Sequence, residues 1–291
     1  MKTRLYALVM AAILLFLPPL YAEASLLTEA SGDTVIQFPD LNFETAVREV
    51  IDKPVGDITI NDVAEITVLS VSELNIADLT GIEHFTALEW LECWENQLTT
   101  LDLSQNTALK KLVCFSNQLA TLDLSNNVAL EVLYCGYNPL IELDLSQNTM
   151  LKMLYCDYSQ LTELNISKNA MLIELMCTMN QLTMLDVRNN LALTHLHCGH
   201  NQLTALDVSQ NPALTWLSCW GNELTTLDVS HNPALTDLWC GGNYLTTLDI
   251  SQNPALARLE CEENLFPDKS AIIGLDESRL TRFTFDPQND L

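Results

Sequence analysis

Nine cysteines recur through the sequence, and each lies 21 residues after the one before it. They are Cys93, Cys114, Cys135, Cys156, Cys177, Cys198, Cys219, Cys240 and Cys261. Thiols at such a spacing could bind a metal, form disulfides or act as small apolar side chains in a core. Zinc sites need two or more sulfurs that converge on one centre, as in CxxC pairs. No repeat contains a second cysteine, so the spacing argues against a thiolate metal site.

Disulfides between neighbouring repeats are the main alternative to burial of the thiols. Bridged cysteines need Cβ atoms about 3.8 Å apart, whereas side chains in register on stacked coils run parallel. An odd number of cysteines would also leave one unpaired. A buried thiol acts as a small hydrophobe where leucine does not fit, and its shielding makes it a poor nucleophile. The sequence therefore favours nine free, buried thiols.

A histidine cluster lies in the segment THLHCGHN. His195 and His197 are two residues apart, which places them on one face of a strand, and Glu174 lies one repeat earlier. Imidazole and carboxylate groups are ligands of zinc and copper. Solvated surface residues are the favoured interpretation, so these three are weak candidates for a metal site and we expect no cofactor.

The 21-residue unit that positions these residues divides into two half-turns. In the first half-turn of one repeat, Leu238 and Cys240 lie two residues apart. In a short strand both therefore point inward, while Trp239 points outward. In the second half-turn, Leu248 and Ile250 point inward by the same rule. Neighbouring coils should lie about 4.8 Å apart, so each position forms a column along the molecule.

The pattern LxxLxCxxNxL, as at Leu238, Cys240, Asn243 and Leu245, resembles the signature of leucine-rich-repeat proteins. The segment FPDLNFETAVREVIDKPVGDITINDVAEIT, followed by LNIADLTGIEHFTAL, is similar to the N-terminal cap and first repeat of internalin-like bacterial surface proteins. The resemblance implies an α/β solenoid. In it, a right-handed leucine-rich-repeat superhelix carries a parallel β-sheet on its concave face and a small helical N-terminal cap.

Charge, apolar runs and the repeat divide the sequence into segments. Lys2, Arg4, the apolar run 5–17 and the AEA at 22–24 are typical of a secretory signal peptide. The predicted segments are a signal peptide at 1–24, a linker at 25–35, a helical cap at 36–65, repeats at 66–264 and a C-terminal cap or tail at 265–291. In the cap, Asn42 is expected to begin a helix that ends before Pro54. Its predicted apolar stripe is Phe43, Ala46, Val47, Val50 and Ile51.

Aromatic side chains gather on the outward positions of the first half-turn, which change from repeat to repeat. They are Trp90, Trp94, Phe115, Tyr134, Tyr137, Tyr155, Tyr158, Trp216, Trp220 and Trp239. Some of them could merely cover the sheet. Large exposed rings are typical of binding surfaces for proteins or sugars, so we interpret these residues, with His195 and His197, as a ligand-binding surface. A protein ligand is favoured; a glycan, or a scaffold role without a specific ligand, is the alternative.

The second half-turn carries an almost constant column of carboxylates, followed by serine in most repeats. The column is Asp102, Asp123, Asp144, Asn165, Asp186, Asp207, Asp228 and Asp249. Stacked carboxylates repel one another, so either bound cations or local hydrogen bonds must stabilise them. Calcium needs six or more converging oxygens, and a single column supplies few. Hydrogen bonding to nearby backbone and serine groups is therefore favoured.

Charge and motif content narrow the class of function. Removing residues 1–24 leaves 13 − 2 = 11 basic and 38 − 1 = 37 acidic residues, a formal net charge of −26. Such a chain repels nucleic acid and anionic lipid. No nucleophile elbow, phosphate-binding glycine loop or HExxH motif appears, so we expect no enzyme activity. We predict a secreted or surface-associated monomer that binds an extracellular protein, with a possible role in adhesion or host interaction and without insertion into a membrane.

Overall fold

The computed structural model describes residues 34–289. The predicted signal peptide and nearly all of the predicted linker lie outside the described residues. Within the part that is described, no helix is long and apolar enough to cross a membrane.

A ten-residue helix, α1 (Leu41–Val50), precedes the repeats. Its N-cap is Asp40, whose side chain accepts hydrogen bonds from the backbone amides of Asn42 at 2.8 Å and Phe43 at 3.1 Å. The prediction that Asn42 caps this helix was therefore wrong, because Asp40 lies one residue before the first helical turn and its carboxylate reaches two free amides. The helix ends before Pro54, as predicted.

The apolar stripe of α1 is narrower than predicted. Phe43 and Val47 are fully buried and Ala46 nearly so, whereas Val50 is 47% exposed. The ring of Phe43 packs 6.4 Å from that of Phe85, which belongs to the first repeat. A second helix of four residues, α2 (Ile60–Val63), follows. The helices thus place apolar side chains against the first coil of the repeats.

The repeats form a parallel sheet of eleven strands, whose spatial order follows their order along the sequence. Two further short strands form a separate sheet. Each strand of the large sheet has three residues. They are β1 (Val68–Ser70), β2 (Trp90–Glu92), β3 (Lys111–Val113), β4 (Val132–Tyr134), β5 (Met153–Tyr155), β6 (Glu174–Met176), β7 (His195–His197), β8 (Trp216–Ser218), β9 (Asp237–Trp239), β11 (Arg258–Glu260) and β13 (Arg282–Thr284). Leu91 pairs with Leu112, so the 21-residue repeat is also the register of the sheet.

The second half-turns close each coil mostly without strand structure. The exception is β10 (Leu248–Asp249), which pairs with β12 (Ile272–Ile273) near the C-terminal tail. The inward leucines of both half-turns are nevertheless buried, as at Leu238 and Leu248. One continuous apolar core therefore runs the length of the solenoid.

A column of buried asparagines joins the coils where the strands end. Asn222 is typical: its Oδ1 accepts a hydrogen bond from the Leu203 amide at 3.0 Å. Its Nδ2 donates to the carbonyls of Cys198 at 3.1 Å and Cys219 at 2.9 Å. One side chain thus satisfies the buried Leu203 amide and adds hydrogen bonds to carbonyls of two coils.

This column is interrupted at Ser159, whose hydroxyl has no hydrogen-bond partner. In the preceding coil the Leu119 amide donates to Asn138. The equivalent amide of Leu140 donates no hydrogen bond within residues 34–289. The boundary between the coils of Leu140 and Ser159 therefore lacks the buried asparagine hydrogen bonds that the neighbouring boundaries have.

Ser159→Asn is expected to raise the free energy of unfolding by about 1–2 kcal/mol, because it restores hydrogen bonds to buried groups. Urea denaturation would measure the gain. In the wild-type protein, the Leu140 amide should exchange faster than the equivalent amides of Leu119 and Leu161, which donate to asparagine side chains. Exchange there as slow as in flanking coils, together with no gain from asparagine, would contradict this prediction.

Candidate functional site

The predicted aromatic residues lie on one continuous surface, which we call the sheet face. It consists of the outward side chains of the large sheet and of the two residues that follow each cysteine. Trp90, Tyr134, Tyr155, Trp216 and Trp239 lie on strands, together with His195 and His197. Trp94, Phe115, Tyr137, Tyr158 and Trp220 lie in the turns just after the strands. The 21-residue register determines which of these rings become neighbours.

The turn after each strand has a backbone conformation that is unusual for large side chains. The second residue after the cysteine has positive φ in every coil, including 53° at Tyr137 and 51° at Tyr158. Glycine adopts this conformation without strain, and it occupies the position in two coils, at Gly221 and Gly242. Tyr137 and Tyr158 therefore keep large rings at the rim of the sheet despite a backbone cost.

At the N-terminal end of the sheet face, two aromatic contacts join neighbouring coils. The rings of Trp94 and Phe115 stack with their centroids 5.3 Å apart. The Lys111 ammonium lies 3.8 Å from the ring centroid of Trp90, a distance at which a cation and an aromatic face attract. This end therefore combines apolar rings with a positive charge.

Two tyrosine pairs lie in the middle of the face. Tyr134 and Tyr155 stack with centroids 4.2 Å apart, and Tyr137 and Tyr158 stack at 4.3 Å. The second pair is about half exposed, at 53% and 47%. Gly136 lies between the two columns, and a side chain there would collide with the backbone of the next coil. The middle of the face thus has two pairs of stacked tyrosines, with Gly136 between them.

Trp216 is the centre of the C-terminal cluster. Its ring lies 5.1 Å from His197 and 5.2 Å from Trp239, both measured between centroids. The guanidinium carbon of Arg258 lies 5.4 Å from the same ring. The indole nitrogens of Trp216 and Trp239 have no hydrogen-bond partner. The structure thus brings Trp216, Trp239, His195 and His197 together.

Trp220 has a different environment from Trp216. The ring of Trp220 covers Gly241 of the next coil rather than a side chain of its own coil. A β-carbon at Gly241 would approach Trp220 Cε3 to 2.7 Å. Trp220 therefore packs along the turn, because the neighbouring coil has glycines where other coils have side chains.

Glu174 connects the tyrosines to the histidines. The Tyr155 hydroxyl donates a hydrogen bond of 2.5 Å to Glu174 Oε2. Burial, followed by this carboxylate, raises the pKa of Tyr155. Burial, followed by the charge of His195, lowers the pKa of His197, which favours its neutral form. The surface between the two clusters is thus polar but partly shielded from water.

The weak metal candidates do not assemble into a metal-binding group. Glu174 is engaged by Tyr155, and His195 Nδ1 lies 2.8 Å from the Thr194 hydroxyl. In residues 34–289, no three His, Cys, Asp or Glu side chains are grouped so that they could hold a metal ion.

Several charged residues of the sheet face were missed by the sequence analysis. Arg258 forms an ion pair with Asp237, and Arg282 forms one with Glu260. Asp157 accepts a hydrogen bond of 2.8 Å from the Thr178 amide, and burial raises its pKa. Because Arg258 lies 21 residues after Asp237, the spacing of the repeats could have predicted this ion pair.

All nine cysteines are free and buried. This confirms the prediction of an apolar thiol column over one of disulfides. Burial raises the pKa of Cys93 and Cys219 to about 12 and that of Cys240 well above its usual value. The thiols are therefore neutral at physiological pH and hidden from reagents.

We expect a thiol reagent such as Ellman's to modify few cysteines in the native protein and all nine after denaturation. The raised pKa values mean that a moderate increase in pH, to about 9, should not expose new reactive thiolates while the fold is intact. Counting the released thiolate by absorbance would test both statements. Rapid native reaction of several thiols would contradict the buried column.

The carboxylate column of the second half-turn is stabilised by local hydrogen bonds. Asp102 accepts from the Ser104 amide at 2.9 Å, and Asn165 makes the equivalent contact with Ser167 at 3.1 Å. Hydrogen bonds from Ser104 lower the pKa of Asp102. The structural interpretation of this column is confirmed, since each carboxylate closes a turn of its own coil.

The chain is similar to internalins of Listeria monocytogenes. No family model matches the sequence. Internalin J of Listeria monocytogenes serotype 4b (strain F2365) is 41% identical over 70 residues, which are 24% of this chain and 8% of that protein. The solved functional domain of InlJ from Listeria monocytogenes, which includes a cysteine ladder, matches with a TM-score of 0.71 and 34% identity. The chain is an internalin-like leucine-rich-repeat protein.

The extent of these matches differs between relatives. The InlJ match covers 86% of the internalin-like chain and 62% of the solved InlJ chain. The internalin InlF of the same species shares the fold, with a TM-score of 0.59 and 23% identity over 87% of this chain and 91% of that one. The internalin-like chain thus spans less than two thirds of InlJ in either comparison, 62% of the solved domain and 8% of the whole protein.

Proposed function

We propose that this internalin-like protein is secreted or surface-associated and binds an extracellular protein through its sheet face. The Trp216 cluster is the observation that carries the proposal. It brings two indole rings, two imidazoles and a guanidinium together on one exposed side of the sheet. Tryptophan and arginine are enriched where protein interfaces concentrate their binding energy.

The variation between coils supports the same surface. Inward positions repeat leucine and cysteine, whereas the outward strand position before each cysteine changes from tyrosine to methionine, histidine, serine and tryptophan. A structural role alone would hold these positions to one pattern. Outward variation on a constant core is what a surface adapted to one partner requires.

A protein partner fits the rings better than a glycan does. Sugars bind by stacking on open aromatic faces, whereas the tyrosines cover one face of each other in pairs. The rings of Tyr137 and Tyr158 remain about half exposed, and the polar side chains of Glu174 and His195 lie on the same face. Such an arrangement provides hydrogen-bonding groups among apolar area, as protein interfaces do.

The test is affinity for a partner captured from extracellular proteins of candidate host cells, in parallel with a glycan array. Trp216→Ala with Trp239→Ala is expected to weaken binding about thirtyfold or more, since truncating a central aromatic costs about 2 kcal/mol. Circular dichroism should remain unchanged because both rings project away from the leucine core.

The control is Asp228→Ala with Asp249→Ala in the second half-turn, which should alter stability more than affinity. Equal affinity of wild type and the tryptophan variant would remove the sheet-face site. Loss of binding with the aspartate pair, or on adding a chelator, would replace it with a cation-dependent site. Strong signals on the glycan array alone would favour a sugar ligand.

A further inference from the structure

The outward side chains of the second half-turns form a second surface, which we call the aspartate face. The position two residues before its aspartate column is threonine or alanine in most coils. Three consecutive coils depart from this, with Glu142, Glu163 and Met184. Ile141 likewise replaces the threonine or alanine found one position earlier in the other coils. The departures are grouped in adjacent coils, so the register places them side by side.

A groove runs across these same coils. It consists of two adjoining parts with volumes of about 720 and 560 Å³, which share Thr162, Glu163 and Asn165. We call it the lateral groove. Ile141 is 58% exposed and Met184 is 79% exposed, so neither side chain is needed for the core. Exposed apolar side chains at positions that hold threonine or alanine in other coils give this groove apolar area for contact with a partner.

The charge of the groove defines what that partner must be. Asp123, Glu142, Asp144 and Glu163 line it, and no lysine or arginine of residues 34–289 is among its lining residues. At its far end, Arg188 is 2.8 Å from Asp186 and neutralises that carboxylate. The unpaired acids therefore lie beside Ile141, at the nearer end of the groove.

The length of the groove fits a short extended peptide. The lining runs from Asp123 to Gln202, about four coils. At about 4.8 Å per coil this is roughly 19 Å, the length of about six residues of extended chain. Exposed ion pairs contribute little each, so the apolar contacts with Ile141 and Met184 must supply part of the affinity.

We propose that the lateral groove binds a short, extended, basic segment of a protein partner, in which lysine or arginine alternates with apolar side chains. The basic groups would lie against Glu142 and Glu163, and the apolar side chains against Ile141 and Met184. This site is separate from the sheet face, and its occupancy does not depend on the proposed function of that face.

The probe is a fluorescent octapeptide, KLKSKLKS, measured by fluorescence anisotropy at about 0.15 M salt, where distant charges are screened. Two variants return the groove to the residues of other coils: Ile141→Thr with Met184→Thr, and Glu142→Thr with Glu163→Thr. Both should fold, because threonine occupies these positions elsewhere in the chain. Each is expected to weaken peptide binding at least tenfold.

The matched control is Asp228→Asn with Asp249→Asn, which removes two charges outside the groove. Asparagine already closes the same turn at Asn165, so the fold should tolerate it. The control and the Trp216→Ala, Trp239→Ala variant should bind the peptide within twofold of wild type, and an ESESELES-type acidic peptide should not bind.

Three results would overturn the proposal. Unchanged affinity in either threonine variant would show that its side chains do not contact the peptide. An equal loss in the asparagine control would mean that the peptide responds only to overall charge. Self-association of the wild-type protein in sedimentation velocity that Ile141→Thr with Met184→Thr abolishes would make the groove a contact between two copies of this chain.

Discussion

Asn222→Ala should lower the free energy of unfolding by about 3 kcal/mol. The change removes the hydrogen bonds to the Leu203 amide and to the Cys198 and Cys219 carbonyls. The carbonyls keep bonds from neighbouring asparagines, but the buried Leu203 amide loses its partner. A net loss of about 1 kcal/mol per bond, and more for an orphaned buried donor, gives this magnitude.

Urea denaturation followed by circular dichroism would measure the loss, and hydrogen exchange would place it at this coil. Glu223→Ala is the matched control, because the next side chain is exposed and its change should cost less than about 0.5 kcal/mol. Stability of Asn222→Ala within that range would show that the column does not join the coils.

Deleting residues 25–65 is expected to have the largest effect on folding. The deletion removes Phe43, Val47, Ile58 and Val63, all buried against the first coil. Each buried apolar side chain contributes about 1.5–3 kcal/mol, and the first coil would lose this packing. We therefore expect aggregation, or a melting temperature lower by about 15 °C or more.

Size-exclusion chromatography and thermal melting would test the deletion. Val50→Thr is the control on the same helix, because Val50 is already largely exposed, and it should leave the melting temperature nearly unchanged. A truncated protein that remained monomeric and melted at the wild-type temperature would show that residues 25–65 do not act as a cap.

The repeat made the core and the sheet register predictable from the sequence. Leu91 and Leu112 are 21 residues apart and pair in the sheet, as the spacing of the cysteines requires. The register is lost in the tail: Arg258 pairs with Arg282, 24 residues later. The position of strand β13 therefore cannot be predicted from the 21-residue spacing, and only a closing segment was predicted for the tail.

The sequence predicts which residues of the candidate site are neighbours, but not how their rings are oriented. The 21-residue register places Trp216 beside His195 and Asp237, whereas ring orientation depends on the space that the next coil leaves. The ring of Trp220 covers Gly241 of the next coil, because glycine has no side chain to occupy that space. The cap residue Asp40 was missed for a related reason, since Asn42 and Asp40 are both good caps and only the start of the helix distinguishes them.

The interruption at Ser159 has a mechanical consequence. Hydrogen bonds between coils run along the solenoid axis, so tension applied to the two ends loads every boundary between coils in series. In such a chain the boundary that lacks the buried asparagine bonds is expected to rupture first, and rupture is governed by the local rate of unfolding. A molecule pulled between an anchored end and a bound partner should therefore extend first around Ser159, near the middle of the repeats. Rupture there would separate the Tyr134–Tyr155 and Tyr137–Tyr158 pairs, whereas the tryptophan contacts farther along in both directions would stay folded.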